Sequence, residues 1–195
     1  KILEKADNGK KEFVKLFRVL TPLIKFRACR DARKVSGDAM EIRGGCGYIE
    51  EWSDARMLRD SHLGSIWEGT SNIVSLDTIR ALKKEDNIFV LKNYLLKIIS
   101  KTDDNDDVIF FKKITEEVFD FISIEITNND YFNSRQVASA LYYLCASIFL
   151  NAESSFCASL TYRNKISKLL IQHKLMKRNP IKSDDLDKSI IFSSI

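Results

Sequence analysis

The chain has 195 residues, 45% of them hydrophobic and 30% charged, with a net charge of +4. That length carries one domain with its own core, or one domain and a substantial extension, and so mild a charge does not by itself make a nucleic-acid binder. Four cysteines without C-x-x-C spacing and two isolated histidines argue against a zinc site or a disulfide framework, so the thiols read as free and no metal ligand is assigned. In chain order, residues 1–8 read as the end of a helix, broken at Gly9. Phe13, Leu16, Phe17 and Leu20 then recur at helical spacing. Thr21-Pro22 fits an N-cap followed by proline at the first helical position, starting a second helix; the alternative is one continuous helix kinked at Pro22. Apolar residues continue through Leu23, Phe26, Val35 and Ile42. The opposite face, Lys25, Arg27, Arg30, Arg33 and Lys34, is either a solvated face or an anchor for a partner or a phosphate.

Five of the seven glycines, both tryptophans and His62 fall between Gly44 and Gly69. Backbone freedom and aromatic surface are thus concentrated between helical segments, as in a binding loop on a rigid scaffold. Gly44-Gly45-x-Gly47 ends the long helical stretch. No strand precedes it, as a dinucleotide fingerprint requires, and no Gly-Lys-Ser/Thr follows, as a phosphate-binding P-loop requires. Ser53 can cap a short helix over 54–60, residues 61–68 read as irregular, and a long helix begins near Thr70. Its inner side is read as Ile73, Leu76, Ile79, Ala81 and Leu82. Residues 83–87 are the candidate boundary, beyond which glycine vanishes.

Further helices are expected at about 87–101, 107–127, 133–157 and 160–177. Asn179-Pro180 ends the last, and 181–195 is expected to be a weakly ordered tail. The fold expectation is an all-α helical bundle with additional C-terminal helices, divided into 1–84, 85–180 and the tail. No run approaches the ~20 apolar residues of a membrane span. The opening Lys1-Ile2-Leu3, without an initiator Met, reads as a fragment. The ending Ser193-Ser194-Ile195 is not a peroxisomal Ser-Lys-Leu signal. The expected location is intracellular, mitochondrial or cytoplasmic.

Three runs carry a resemblance: Ala39-Met40-Glu41-Ile42-Arg43-Gly44-Gly45-Cys46-Gly47-Tyr48, Ala55-Arg56-Met57-Leu58-Arg59-Asp60, and Ile66-Trp67-Glu68-Gly69-Thr70-Ser71-Asn72-Ile73. In order and spacing they resemble the C-terminal helical domain of the acyl-CoA dehydrogenase family. Trp-Glu-Gly and Met40-Glu41 resemble most the alkylation-response branch, whose members carry extra C-terminal helices. The resemblance covers under half of the chain, about Lys11 to Leu82, and lacks the family's N-terminal helical and middle β-domains.

The resemblance implies FAD as cofactor, an acyl-CoA substrate and α,β-desaturation. Glu68 matches the base that takes the α-proton, which requires a carboxylate within hydrogen-bond reach and tuned by a dry pocket. Trp67 and Gly69 match substrate-pocket positions. Gly44, Gly45 and Gly47 match a loop approaching the ADP part of FAD, commonly that of a neighbouring subunit. Thr70 and Asn72 match positions near the cofactor. Glu41 stands where most members have Gln, and Arg43 replaces an apolar residue. Electron-transferring flavoprotein as acceptor and homo-oligomerisation, as dimer or tetramer, are implied too. The isolated segment is expected to turn nothing over and to bind FAD weakly at best. The rival reading is a non-catalytic helical binding or oligomerisation module. It includes nucleic-acid binding through Lys165, Lys168, Lys174, Lys177 and Arg178.

Overall fold

Helix-forming sequence dominates the computed structural model, which describes residues 2–102, 104–128, 131–155 and 162–177. The described residues form α1 (Ile2–Asp7), α2 (Lys11–Ile42), α3 (Gly45–Tyr48), α4 (Asp54–Leu63), α5 (Ser71–Lys83), α6 (Asn87–Ile99), α7 (Asn105–Thr127), α8 (Ser134–Ser154) and α9 (Tyr162–Lys174). No strand occurs among them, so the fold is all-α as read. The expected tail at 181–195 and the Asn179-Pro180 stop lie outside the described residues.

The favoured break at Thr21-Pro22 is corrected: α2 runs 32 residues with Pro22 inside it. Pro22 removes one backbone bond and crowds the preceding turn, at about 3 kcal/mol. Against this, Leu16, Val19, Leu20, Leu23 and Phe26 form one buried stripe through the proline. At about 1.5–3 kcal/mol each, their burial outweighs it. Thr21 does not cap; its hydroxyl donates back to the Phe17 carbonyl at 2.8 Å.

Two compact units result. The first joins Lys1–Asn87 to Asp130–Ser139, so the first turns of α8 belong to it. In it, α2 packs on α1, α3, α4 and α5. The buried residues of α5 are Val74, Ser75, Thr78, Ile79, Ala81 and Leu82. Ile73, read as inward, is 54% exposed instead, because the buried arc starts one residue later. Ser75 and Ser134 hydroxyls share a hydrogen bond of 3.2 Å in the interior. The Asn87 amide donates to the Ala81 carbonyl at 2.8 Å, satisfying a backbone group that the end of α5 leaves open.

The second unit joins Ile88–Asn129 to Ala140–Ile195. Its core draws Leu91, Leu95 and Ile99 from α6, Phe111, Phe119 and Ile122 from α7, and Leu141, Leu144 and Ile148 from α8. The Asp104 carboxylate caps α7, accepting from the Asp106 and Asp107 amides. Asp107 is buried and bound by Lys168 at 2.5 Å and by the Asn164 amide at 2.5 Å. Burial pushes the Cys145 thiol up to about 12, which makes it inert at neutral pH.

Candidate functional site

The segment from Gly64 to Gly69 is fastened to α2 by three side-chain bonds. The Lys25 ammonium donates to the carbonyls of Gly64 and Trp67, each at 2.8 Å. The Ser65 hydroxyl donates to the Cys29 carbonyl at 3.3 Å. Two consecutive residues of positive φ, Glu68 at 56° and Gly69 at 108°, then swing the chain into α5. Gly69 is required twice over: that φ suits only glycine, and a Cβ there would lie 3.2 Å from Ile73 Cγ2. Glu68 has a Cβ and holds the left-handed angle nonetheless, the kind of strain that collects at functional positions.

This geometry holds the Glu68 carboxylate out over a groove of about 560 Å³ between α2 and α5. Apolar walls come from Val14, Phe17, Pro22, Ile73 and Val74. Lys25 Nζ lies 3.9 Å from a Glu68 oxygen. Arg18 closes another side, bidentate to Asp77 at 2.7 and 3.0 Å. That guanidinium holds the Asp77 carboxyl below its usual range. Among the described residues no dry pocket closes over Glu68. The Glu68 side chain is 87% exposed, because the described residues line one wall of the groove and leave the other side open. Trp67 is 63% exposed, and neither it nor Gly69 lines the groove.

The glycine turn lies elsewhere. Gly44, at φ 60°, turns the chain out of α2. Gly47 packs so closely that a Cβ would sit 2.2 Å from the Met40 carbonyl oxygen, whereas a Cβ on Gly45 would meet nothing within 4 Å. Glu41 is exposed on the last turn of α2. Arg43 is drawn away from the glycines: its Nε pairs with Asp54 at 3.2 Å and its guanidinium lies 5.3 Å from the centre of the Trp52 ring. Counted along α2, the turn is 17 or more residues beyond Lys25, about 25 Å at the helical rise. So Glu68 and the glycines cannot meet one small group within a single chain. Thr70 and Asn72 line a third place, a separate cavity of about 300 Å³ shared with Ser65, Ser71 and arginines of α2 and α8. Sequence reasoning missed Lys25 as the fastener of the loop and Arg135 of α8 altogether.

Of the basic cluster read on the last helix, Lys165, Lys174 and Lys177 are exposed and Lys168 is half-buried. Lys168 is bound to buried Asp107, Lys174 lies 5.6 Å from the centre of the Tyr143 ring, and Lys177 falls beyond α9. Arg178 lies outside the described residues. Among the described residues, no three of His, Cys, Asp and Glu come together as a metal would need. No described helix is long and apolar enough to cross a membrane.

In the first unit, then, a carboxylate stands between tryptophan and glycine ahead of a helix, and a glycine turn ends the long helix it leans on. The sequence model for "Acyl-CoA dehydrogenase, C-terminal domain" matches residues 1–83, so that part of the chain is similar to the helical C-terminal domain of this family. Among relatives, "Putative acyl-CoA dehydrogenase AidB" of Escherichia coli is 40% identical over 74 residues, 38% of this chain and 14% of that protein. "Acyl-CoA dehydrogenase family member 11" of Caenorhabditis elegans is 34% identical over 92 residues, 46% of this chain and 15% of that protein. "Cyclohex-1-ene-1-carbonyl-CoA dehydrogenase" of Geobacter metallireducens is 37% identical over 82 residues, covering 42% and 20%. The chain therefore spans between about a seventh and a fifth of the length of these relatives.

Proposed function

We propose that this chain is the C-terminal part of an FAD-dependent acyl-CoA dehydrogenase-type oxidoreductase, with Glu68 as the base that removes the substrate α-proton. The observation that carries the reading is Glu68 itself. Its backbone is held at a strained angle by a loop tied to α2, and its carboxylate stands over an apolar groove with Lys25 alongside. A second body laid on the open side would exclude water from the carboxylate and raise its basicity. Bound FAD would accept the β-hydrogen as hydride.

The residues present fit one edge of such a cofactor. Gly45 offers bare, exposed backbone with open space above it, and Thr70 and Asn72 face an electropositive cavity. Because Glu68 and the glycine turn lie about 25 Å apart along α2, Gly44, Gly45 and Gly47 would serve the FAD of a neighbouring subunit, and Glu68 that of its own. Homo-oligomerisation is then part of the active arrangement. Residues 85–180 would form an added helical region, with 130–139 returning to the first unit. Trp67, exposed beside Glu68, and Gly69 would border the acyl chain once the groove is covered. Electron-transferring flavoprotein is the proposed electron acceptor.

The test is flavin titration by absorbance and fluorescence, with and without an acyl-CoA. The isolated chain is expected to bind FAD weakly and to reduce none of it. In a flavoprotein carrying these residues with the remaining domains, acyl-CoA is expected to bleach the flavin. Glu68→Gln should slow that bleaching by about 10²–10⁴-fold, the usual worth of a positioned base, with FAD affinity retained. A Glu68→Gln protein that bleached at the parent rate would remove the assignment. A second reading, a helical assembly module without catalysis, is favoured by the apolar residues Ile24, Val35, Ile42 and Ile66, all more than half exposed. It predicts stable oligomers and no bleaching in any context.

A further inference from the structure

The cavity at Thr70 and Asn72 is lined by three arginines: Arg30 and Arg33 from α2, and Arg135 from the first turn of α8. Of the seven other described arginines, six hold a carboxylate within 4 Å, namely Arg18, Arg27, Arg43, Arg56, Arg59 and Arg163, and exposed Arg80 does not. No described carboxylate lies within that distance of Arg30, Arg33 or Arg135. Three like charges thus converge on one space; the nearby acid, Asp31, is paired with Arg27 and offsets them at Arg30 only in part. Arg30 is half-buried, its guanidinium 5.6 Å from the centre of the Phe26 ring. Burial first, then the charges of Arg135, Arg27 and Arg33, push its pKa down. An anion in the cavity would relieve each of those charge repulsions.

The cavity also offers hydroxyls and an amide from Ser65, Thr70, Ser71 and Asn72. The Thr70 hydroxyl makes no capping bond at the start of α5, which leaves it available as a donor. Guanidinium forks match the paired oxygens of a phosphoryl group, and three of them match more than one negative charge. A cluster of this kind suits a dianion or trianion rather than a single carboxylate.

We propose that Arg30, Arg33 and Arg135 form a site for a phosphate or diphosphate group. Arg135 lies outside the family-matched residues 1–83, so the C-terminal region contributes to the site directly. The inference shares Thr70 and Asn72 with the flavin reading but stands on the arginines, and the two can fail separately.

The experiment is calorimetric titration of the full chain with inorganic diphosphate. Saturable one-to-one binding is expected, weakening as salt is raised. Arg33→Gln and Arg135→Gln are each expected to weaken it tenfold or more. Lys11→Gln, an exposed lysine at the far end of α2, should change it less than twofold. Arg135→Lys, which keeps the charge and loses the fork, should fall between, and circular dichroism confirms that each variant is folded. Absence of saturable binding, or equal losses in Arg135→Gln and Lys11→Gln, overturns the site. The same variants titrated with FAD and with coenzyme A assign the source of the diphosphate: the ligand whose affinity falls tenfold with Arg135→Gln carries it. If only inorganic diphosphate responds, the arginine site stands as a free-oxyanion site separate from the flavin.

Discussion

Glu68 sits at φ 56°, an angle that costs a residue with a Cβ about 1 kcal/mol or more. The tied loop and the turn into α5 impose it. Two substitutions separate strain from carboxylate. Glu68→Gly should raise stability by up to about 1 kcal/mol, because it relieves the angle. Glu68→Ala should leave stability nearly unchanged, since an exposed carboxylate 3.9 Å from Lys25 contributes little. Denaturant midpoints measure both, and a Gly variant no more stable than the Ala variant would show that the angle is unstrained. The neighbouring Gly69→Ala should lose about 1–3 kcal/mol, having both a φ of 108° and a Cβ at 3.2 Å from Ile73. The motif Trp67-Glu68-Gly69 was plain in the sequence. The angle was not, because positive φ at a glutamate follows from how the loop is fastened, and local composition carries no sign of it.

Helix α2 was legible as helical residue types and misread at one point. Thr21-Pro22 has the chemistry of a helix start, and local rules favour it there. The stripe of Leu16, Val19, Leu20, Leu23 and Phe26 overrides them, since a break would expose apolar surface on both sides. Continuity has a use: it places Lys25 and Cys29 one turn apart under the 64–67 segment. Lys25→Met should remove two charge-assisted bonds and cost about 1–2 kcal/mol, with the Gly64 and Trp67 carbonyls turning to water. Amide exchange of the 65–67 segment should quicken at least tenfold while the centre of α2 stays protected; equal protection in both would mean the loop holds without Lys25. The Arg18–Asp77 pair adds an acid-sensitive clasp between α2 and α5. Asp77 titrates below its ordinary value of 3.8 in the folded chain, so its stabilisation is complete above that pH. It is lost as pH falls below 3.8. Both partners are over a third exposed, which holds the gain to about 0.2–1 kcal/mol. Asp77→Asn should flatten the acid limb of the stability profile below pH 4 and leave a small constant deficit above it.

At the scale of the molecule, the helices were readable from periodicity, but the membership of Asp130–Ser139 in the first unit was not. Nothing in the pattern of Ser134-Arg135-Gln136-Val137-Ala138 says which core it joins, since one adjacent apolar pair fits either. Three observations place it against α5: the Ser75–Ser134 hydrogen bond, the Lys83 ammonium 4.8 Å from the centre of the Tyr131 ring, and Arg135 in the cavity at Thr70 and Asn72. Val137 and Ala138 are fully buried. A chain cut to residues 1–87 keeps every family-matched residue and loses this cover. Ser75 then loses its partner, and apolar surface that the segment buries returns to water. At about 25 cal/mol per Å², a pair of small apolar side chains and one hydrogen bond come to roughly 2–4 kcal/mol. Both tryptophans, Trp52 and Trp67, lie in the first unit, so their fluorescence reports its unfolding in either chain. The shortened chain should unfold at a midpoint lower by about 4–8 °C per kcal/mol lost, the response of a domain this small. It should also lose the tenfold dependence of diphosphate binding on Arg135. Equal midpoints would mean that residues 1–87 complete their own core and that the returning segment is only an attachment. A lower midpoint would mean that the region beyond the family match is part of the fold it follows, because α5 needs a covering that residues 1–83 do not supply.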